Sequence, residues 1–216
     1  MKNSDKIILD LCGGTGSWSK PYKDAGYDVR LVTLPEFDIF QVNFWNDIIF
    51  LKDDYNGISV KDIYGILAAP PCTQFSKAAW NKKRIDRDFR KGMETVTACL
   101  EIIWKIQEQG APLKFWALEN PMGYLYNFLG HPAYYFQPWW FGEKGFLATK
   151  RTALWGYFNS PARIVRTRTI PFISPHTSKR DVADKKRENH TWYKASAEDR
   201  AITPAGFAKA FYKANQ

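Results

Sequence analysis

The chain is poor in the residues that staple small folds together. Its 216 residues include three cysteines, Cys12, Cys72 and Cys99, widely separated and with no Cys-x-x-Cys pair. An odd, dispersed set argues against a disulfide framework or a zinc site and for a reducing compartment. The three histidines are scattered too. No apolar run approaches the ~20 residues of a membrane span. The amino-terminal stretch MKNSDKIILDLCGG lacks a signal-peptide layout, because its apolar run is short and leads straight into a glycine-rich turn. The Gly-Lys-Ser/Thr ending of a P-loop is absent, and so is the full dinucleotide fingerprint. These absences leave a soluble, cytoplasmic protein of one domain as the expectation, with no membrane partner and no metal.

Aromatic residues are abundant, at 16% with nine Trp, and 45% of the chain is hydrophobic. A substantial core is therefore expected, and disorder throughout the chain is excluded. The net charge of +9 is unevenly spread. One basic segment runs from Lys77 to Lys91, where Lys77, Lys82, Lys83, Arg84, Arg87, Arg90 and Lys91 face Asp86 and Asp88. The second runs from Pro161 to Arg200 and includes Arg163, Arg166, Arg168, Lys179, Arg180 and Lys185 to Arg187. The rest of the chain is nearly neutral. A single such run reads as a solvated loop; two on a neutral body point to a polyanion partner.

Hydrophobic patterning predicts strands at Lys6–Leu11, Asp28–Leu34, Asp62–Ala69, Lys114–Leu118 and Thr152–Phe158. Helices are predicted from about Trp18 to Ala25, over Phe89–Gln109 and over Thr203–Ala214. In the long helix, Met93, Val96, Thr97, Leu100, Ile103, Trp104 and Ile106 form the expected apolar face. Asp38–Val60 reads as irregular. Strands alternating with helices predict an α/β fold with a mostly parallel central sheet, whose ligands bind at the carboxyl ends of the strands.

Three unusual segments fall at those ends. Asp10-Leu11-Cys12-Gly13-Gly14-Thr15-Gly16 is a glycine-rich turn after the first strand, suited to close backbone approach to a ligand. Ala69-Pro70-Pro71-Cys72 places a thiol in a stiff turn followed by a basic segment. Such a thiol is either an exposed nucleophile or a small buried hydrophobe. Leu118-Glu119-Asn120-Pro121 offers an acid that is either a surface carboxylate or a buried proton donor.

In their order and spacing these segments resemble the DNA cytosine-5 methyltransferase family, especially its short stand-alone members carried by phages and prophages. The resemblance rests on DLCGGTGSWS (Asp10–Ser19), APPCTQFS (Ala69–Ser76), LENP (Leu118–Pro121) and TKRTALWGYF (Thr149–Phe158), and spans most of residues 6–158. It implies a Rossmann-like methyltransferase fold that binds S-adenosyl-L-methionine and methylates carbon-5 of a cytosine flipped out of DNA. By this likeness Cys72 is the nucleophile, Glu119 the acid and Arg151 a base- or thiol-steadying cation. The cofactor contacts are Asp10, Leu11, Cys12, Gly13, Gly14, Thr15, Gly16, Ser17, Trp18, Asp38, Ile39 and Pro70. The DNA contacts are Ser76, Lys77, Lys82, Lys83, Arg84, Arg87, Arg166, Arg168, Lys179 and Arg180. The implied organisation is a catalytic core at residues 1–160, a short basic recognition segment at 161–200, and a carboxyl-terminal helix at 201–216 packed back on the core.

The sequence departs from the family pattern at several positions. Leu147 and Thr149 stand at the register of the family's Gln and first Arg, and Pro121 replaces its Val. Thr33, with Glu36 as the nearest acid, stands where the family holds the cofactor ribose with an acid. Residues 161–200 are too few for the family's usual target-recognition domain. These departures leave two other readings: the same chemistry on RNA or a free cytosine nucleotide, or a non-catalytic binding module on a decayed methyltransferase fold. A redox enzyme would need a resolving cysteine beside Cys72, for which Cys99 is the candidate.

Overall fold

The computed structural model describes residues 2–51, 57–77, 84–143, 150–167 and 201–216. Its centre is a six-stranded sheet built from β1 (Ile7–Leu11), β2 (Asp28–Val32), β6 (Ile63–Ala68), β7 (Phe115–Pro121), β8 (Tyr134–Phe136) and β9 (Thr152–Tyr157). The strands lie in the order β2-β1-β6-β7-β9-β8. The first four are mutually parallel, and β9 runs antiparallel to both of its neighbours. The fold is thus α/β with a mostly parallel central sheet, compatible with a Rossmann-like arrangement.

The strands form because apolar residues fill both faces. All five residues of β1 are buried. Ile7, Leu9 and Leu11 pack toward α2 (Phe89–Glu108), which contributes Val96, Cys99, Ile103 and Ile106. Ile8, Leu67, Phe115 and Ala117 face the opposite side. There Tyr22 of α1 (Lys20–Asp24) joins one cluster with Phe207 and Phe211 of the carboxyl-terminal helix Ala205–Ala214, and its ring meets Tyr212 of that helix. The terminal helix is therefore part of the core. Asn159 and Asn215 pin it by exchanging hydrogen bonds between side chains and backbone: Asn159 N–H donates to Asn215 Oδ1 at 2.7 Å, and Asn215 Nδ2 donates to Asn159 O at 3.0 Å.

Three expectations need correction. The stretch expected to be irregular holds a second, antiparallel sheet of β3 (Val42–Trp45), β4 (Ile48–Leu51) and β5 (Ile58–Ser59). Asn46-Asp47 is its two-residue hairpin turn, with Asn46 at φ 52°, the kind of left-handed position that Asn tolerates. The buried face of α2 is rotated from the predicted one: Cys99 and Ile102 point inward, whereas Trp104 is exposed. Finally, β7 continues beyond Leu118, so Glu119 lies inside the strand rather than after it.

No helix among the described residues is long and apolar enough to cross a membrane.

Candidate active site

The three unusual segments meet at one edge of the sheet. Register aligns Leu11 with Ala68 and Ala68 with Leu118, so the chain leaves β1 and β6 in the same row as Leu118 of β7. The β1/β6 boundary is also where strand order reverses, with β2 lying on one side of β1 and β6 on the other. In open α/β sheets this is where the crevice for a ligand opens.

The first segment is a turn that glycine makes possible. Cys12 (φ 57°), Gly14 (φ 56°) and Gly16 (φ 69°) all adopt left-handed backbone. Cys12 N–H donates to Val32 O at 2.8 Å, and Gly14 N–H to Thr33 Oγ1 at 3.3 Å, so Thr33 serves the turn from the end of β2. Gly13 lies directly over the Asp10 carboxyl: a Cβ at this position would meet Asp10 Oδ1 at 2.2 Å. Asp10 is completely buried, and burial pushes its pKa up to about 6 despite hydrogen bonding from Ser19. Its Oδ2 accepts the Ser19 hydroxyl, while Oδ1 has no partner among the described residues. Thr15 and Ser17 bond to each other through their hydroxyls at 2.6 Å.

Not every expected cofactor contact faces this turn. Trp18 is 1% exposed, and its ring packs on Phe207 and Phe211 at 5.9 and 5.3 Å. It is a core residue that anchors the terminal helix. Leu11 is also buried in the sheet and offers the turn its backbone only. Asp38 accepts a bond from Phe40 N–H at 3.0 Å and so starts the short helical turn Ile39–Gln41. Ile39 is buried against α2. Beside it an open groove of about 400 Å³ runs between Phe40 and the α2 residues Arg90, Met93, Thr97 and Ala98.

The second segment continues from β6. Ala69 N–H donates to Leu11 O at 2.9 Å, which ties the two strand ends together. Cys72 O accepts from both Phe75 N–H (2.9 Å) and Ser76 N–H (2.8 Å), so the nucleophile candidate heads a tight turn and is partly exposed. Pro70 is buried, and its carbonyl accepts a hydrogen bond from Asn120 Nδ2 at 3.0 Å. Asn120 is fully buried, with Oδ1 unpartnered among the described residues. It ties the segment leading into the Cys72 turn to the strand that carries Glu119.

Glu119 is partly buried, and desolvation raises its pKa above the usual carboxylate range, with the Lys150 charge pulling it back. In register it lies two residues beyond Ala117 and on the same face, and Ala117 is in row with Leu67 and Asp10. Strand spacing and rise put the Asp10 and Glu119 backbones about 12 Å apart across this edge. Arg151 is not the cation that affects Glu119. Its guanidinium lies 4.4 Å from the centroid of the exposed Tyr135 ring, and Lys150 supplies the field instead. Alternation along the chain explains this, since residues 151 and 153 share a face with Tyr135, while Glu119 pairs with Leu154 on the other.

The basic contacts divide. Lys77 and Arg166 are exposed. Ser76 is half-buried, with its backbone committed to Cys72. Arg87 is a correction: it is 8% exposed, donates to Gln74 O at 3.0 Å and lies 5.0 Å from the Tyr124 ring centroid, so it braces the protein instead of meeting solvent. Lys82, Lys83, Arg168, Lys179 and Arg180 lie outside the described residues, as does the Arg84 side chain.

None of the three cysteines is in a disulfide. The Cys99 thiol hydrogen-bonds to Cys12, not Cys72, and this bond together with burial pushes its pKa well up. The resolving-cysteine idea therefore loses its candidate.

Sequence reasoning missed Ser19, Asn120, Lys150, Gly92 and Gly123. Asn120 and Lys150 had a signal, each being the immediate neighbour of a singled-out residue. The two glycines had none: each is required by an approach of Phe75 that only the fold creates.

Family models, curated proteins and solved structures were all compared with the chain, and none matches it.

Proposed function

We propose that this chain is an S-adenosyl-L-methionine-dependent methyltransferase of Rossmann-like fold that acts on carbon-5 of cytosine in DNA, with Cys72 as nucleophile and Glu119 as acid. The observation that carries this reading is the hydrogen bond from Asn120, the neighbour of Glu119, to the carbonyl of Pro70 two residues before Cys72, at the same sheet edge as the glycine-rich turn.

The first turn fits the cofactor. Gly14 leaves the backbone open, Gly13 lets the turn close over Asp10, and the buried Asp10 has an unpartnered oxygen that a cationic or N–H-bearing ligand would satisfy. Gly13, Gly14, Thr15, Gly16 and Ser17 would hold it, with Asp38, Ile39 and Pro70 on its flanks. When bound, the cofactor supplies an electrophilic methyl group.

The chain's own residues do the rest. Carbon-5 of cytosine is a weak nucleophile. Attack of the Cys72 thiolate on carbon-6 makes carbon-5 enamine-like and able to accept the methyl group. The charge gained by the ring collects at N3, where a protonated Glu119 hydrogen-bonds and donates. Burial keeps Glu119 protonated to a higher pH than an exposed acid, which suits it to donate. Loss of the carbon-5 proton then expels Cys72. In a duplex the target base must first leave the stack, at a cost of about a few kcal/mol. The exposed Lys77 and the basic segments would meet the backbone phosphates.

The test is incubation with labelled S-adenosyl-L-methionine and, in parallel, duplex DNA, RNA or dCTP, followed by mapping of 5-methylcytosine. Label in DNA is expected; label confined to RNA or dCTP would redirect the substrate, and label in none would overturn the reading. Cys72→Ser should abolish transfer while retaining cofactor binding, and a fully active variant would remove Cys72 from its role.

A further inference from the structure

Arg87 belongs by sequence to a polar, basic segment, where an arginine is expected to face water. It is buried instead. A buried guanidinium is costly unless its hydrogens and its charge find partners. Two of its contacts bear on Gln74 and Phe75 in the Cys72 turn. Arg87 Nη1 donates to Gln74 O at 3.0 Å, and the next residue, Asp88, donates its N–H to Gln74 Oε1 at 3.2 Å. The guanidinium also lies 5.0 Å from the Tyr124 ring centroid, and Tyr124 N–H donates to Phe75 O at 2.9 Å.

Glycines make this grip possible from both sides. A Cβ on Gly123 would meet Phe75 O at 2.2 Å, and one on Gly92 of α2 would meet both Gln74 Cβ and the Phe75 ring at 2.9 Å. Gln74 and Phe75 are therefore held between the start of α2 and the chain leaving β7. Cys72 is coupled to them through its carbonyl, which accepts the Phe75 and Ser76 N–H groups.

We propose that Arg87 is a positioning residue that fixes the direction of the Cys72 thiol by clamping Gln74 against Tyr124. Arginine suits this task because one planar group both stacks on a ring and donates in a fixed direction, which the single ammonium of lysine cannot do. The consequence for catalysis rests on the proposed role of Cys72; the clamp itself does not.

The test uses the full chain with Arg87→Ala, Arg87→Lys and Tyr124→Leu. The last removes the ring but keeps the backbone bond to Phe75, so it serves if Arg87→Ala does not fold. The first readout is iodoacetamide labelling of Cys72 at its high-pH plateau, where ionisation no longer matters, with Cys12 as internal reference. Release of the turn should raise the Cys72-to-Cys12 ratio about fivefold or more in Arg87→Ala and Tyr124→Leu, with Arg87→Lys between these and wild type. An unchanged ratio in every folded variant overturns the clamp. The second readout is covalent trapping on DNA containing 5-fluorocytosine, with cofactor present. A mispointed thiol should slow trapping about tenfold or more with DNA affinity nearly unchanged. Weakened affinity with normal trapping would make Arg87 a phosphate contact and overturn the proposal. If wild type never traps while the labelling ratio still rises, the clamp stands and the methyl-transfer reading falls.

Discussion

Asp10 shows how one buried carboxyl ties the candidate site to the stability of the fold. Its pKa is pushed up to about 6 in the folded chain, against an ordinary value near 3.8. Between these values the folded state binds more protons than the unfolded state, so stability falls as pH rises through this window and levels off above it. A shift of this size corresponds to about 3 kcal/mol. Asp10→Asn keeps the shape and removes the charge. Its urea midpoint should therefore fall less than that of wild type between pH 4 and pH 7, and equal pH slopes for the two proteins would contradict the assignment. A ligand that pairs with Oδ1 in its ionised form should reverse the effect, binding more tightly as pH rises through 6. The residues themselves show why some placements could be read and others could not. Asp10, Cys72 and Glu119 could be singled out as candidates because each stands within three residues of a glycine or proline near the end of an apolar run. The burial of Arg87 was not legible, because nothing in a basic, polar stretch signals a carbonyl and an aromatic ring from distant parts of the chain.

Legibility among the elements follows the same logic. Strands β1, β6 and β9 are continuous apolar runs bounded by polar or turn-forming residues, and α2 keeps an apolar stripe over five turns, so all four could be read. Strand β8 has three residues and β5 two, too few for any period to show, and β3 and the all-apolar β4 have four each, too short to stand out among the polar residues around them. The reach of β7 through Pro121 depends on its neighbour: Pro121 pairs at the last position, opposite Thr152, where no further ladder donor is needed. The terminal helix was legible as a helix, and its partners came only from the fold. Phe207 stacks on Phe136 with ring centroids 3.9 Å apart and also touches Trp18, whose residue closes the glycine-rich turn. Phe207→Ala should cost about 3–5 kcal/mol. On the proposed function, affinity for S-adenosyl-L-methionine should weaken alongside stability because Trp18 loses a wall, as calorimetric titration at a temperature where the variant stays folded would show. A loss below 1 kcal/mol would mean that the helix is peripheral to the core.

For the molecule as a whole, the distribution of charge bears most directly on function. The body that carries the candidate site is close to neutral, and the basic excess lies in the segments Lys77–Lys91 and Pro161–Arg200. Polyanion binding releases condensed counterions, so the affinity falls with salt at a slope set by the number of phosphates neutralised. Two cations of the first segment, Lys77 and Arg87, differ in what they can contribute. Arg87 is spent on Gln74 and Tyr124, whereas Lys77 is exposed, with its ammonium 5.6 Å from the centroid of the same tyrosine ring. Net charge alone would score Arg87 and Lys77 alike; burial separates them. Replacing Lys82, Lys83 and Arg84 together with Gln should flatten the plot of log affinity for duplex DNA against log salt by up to about 3. Arg87→Gln should leave that slope within error while still disturbing the Cys72 turn. Fluorescence anisotropy with a labelled duplex across a salt series measures both. A slope untouched by the triple replacement would take this segment out of DNA binding, and a slope reduced by Arg87→Gln would return that residue to the phosphate-facing role its sequence context first implied.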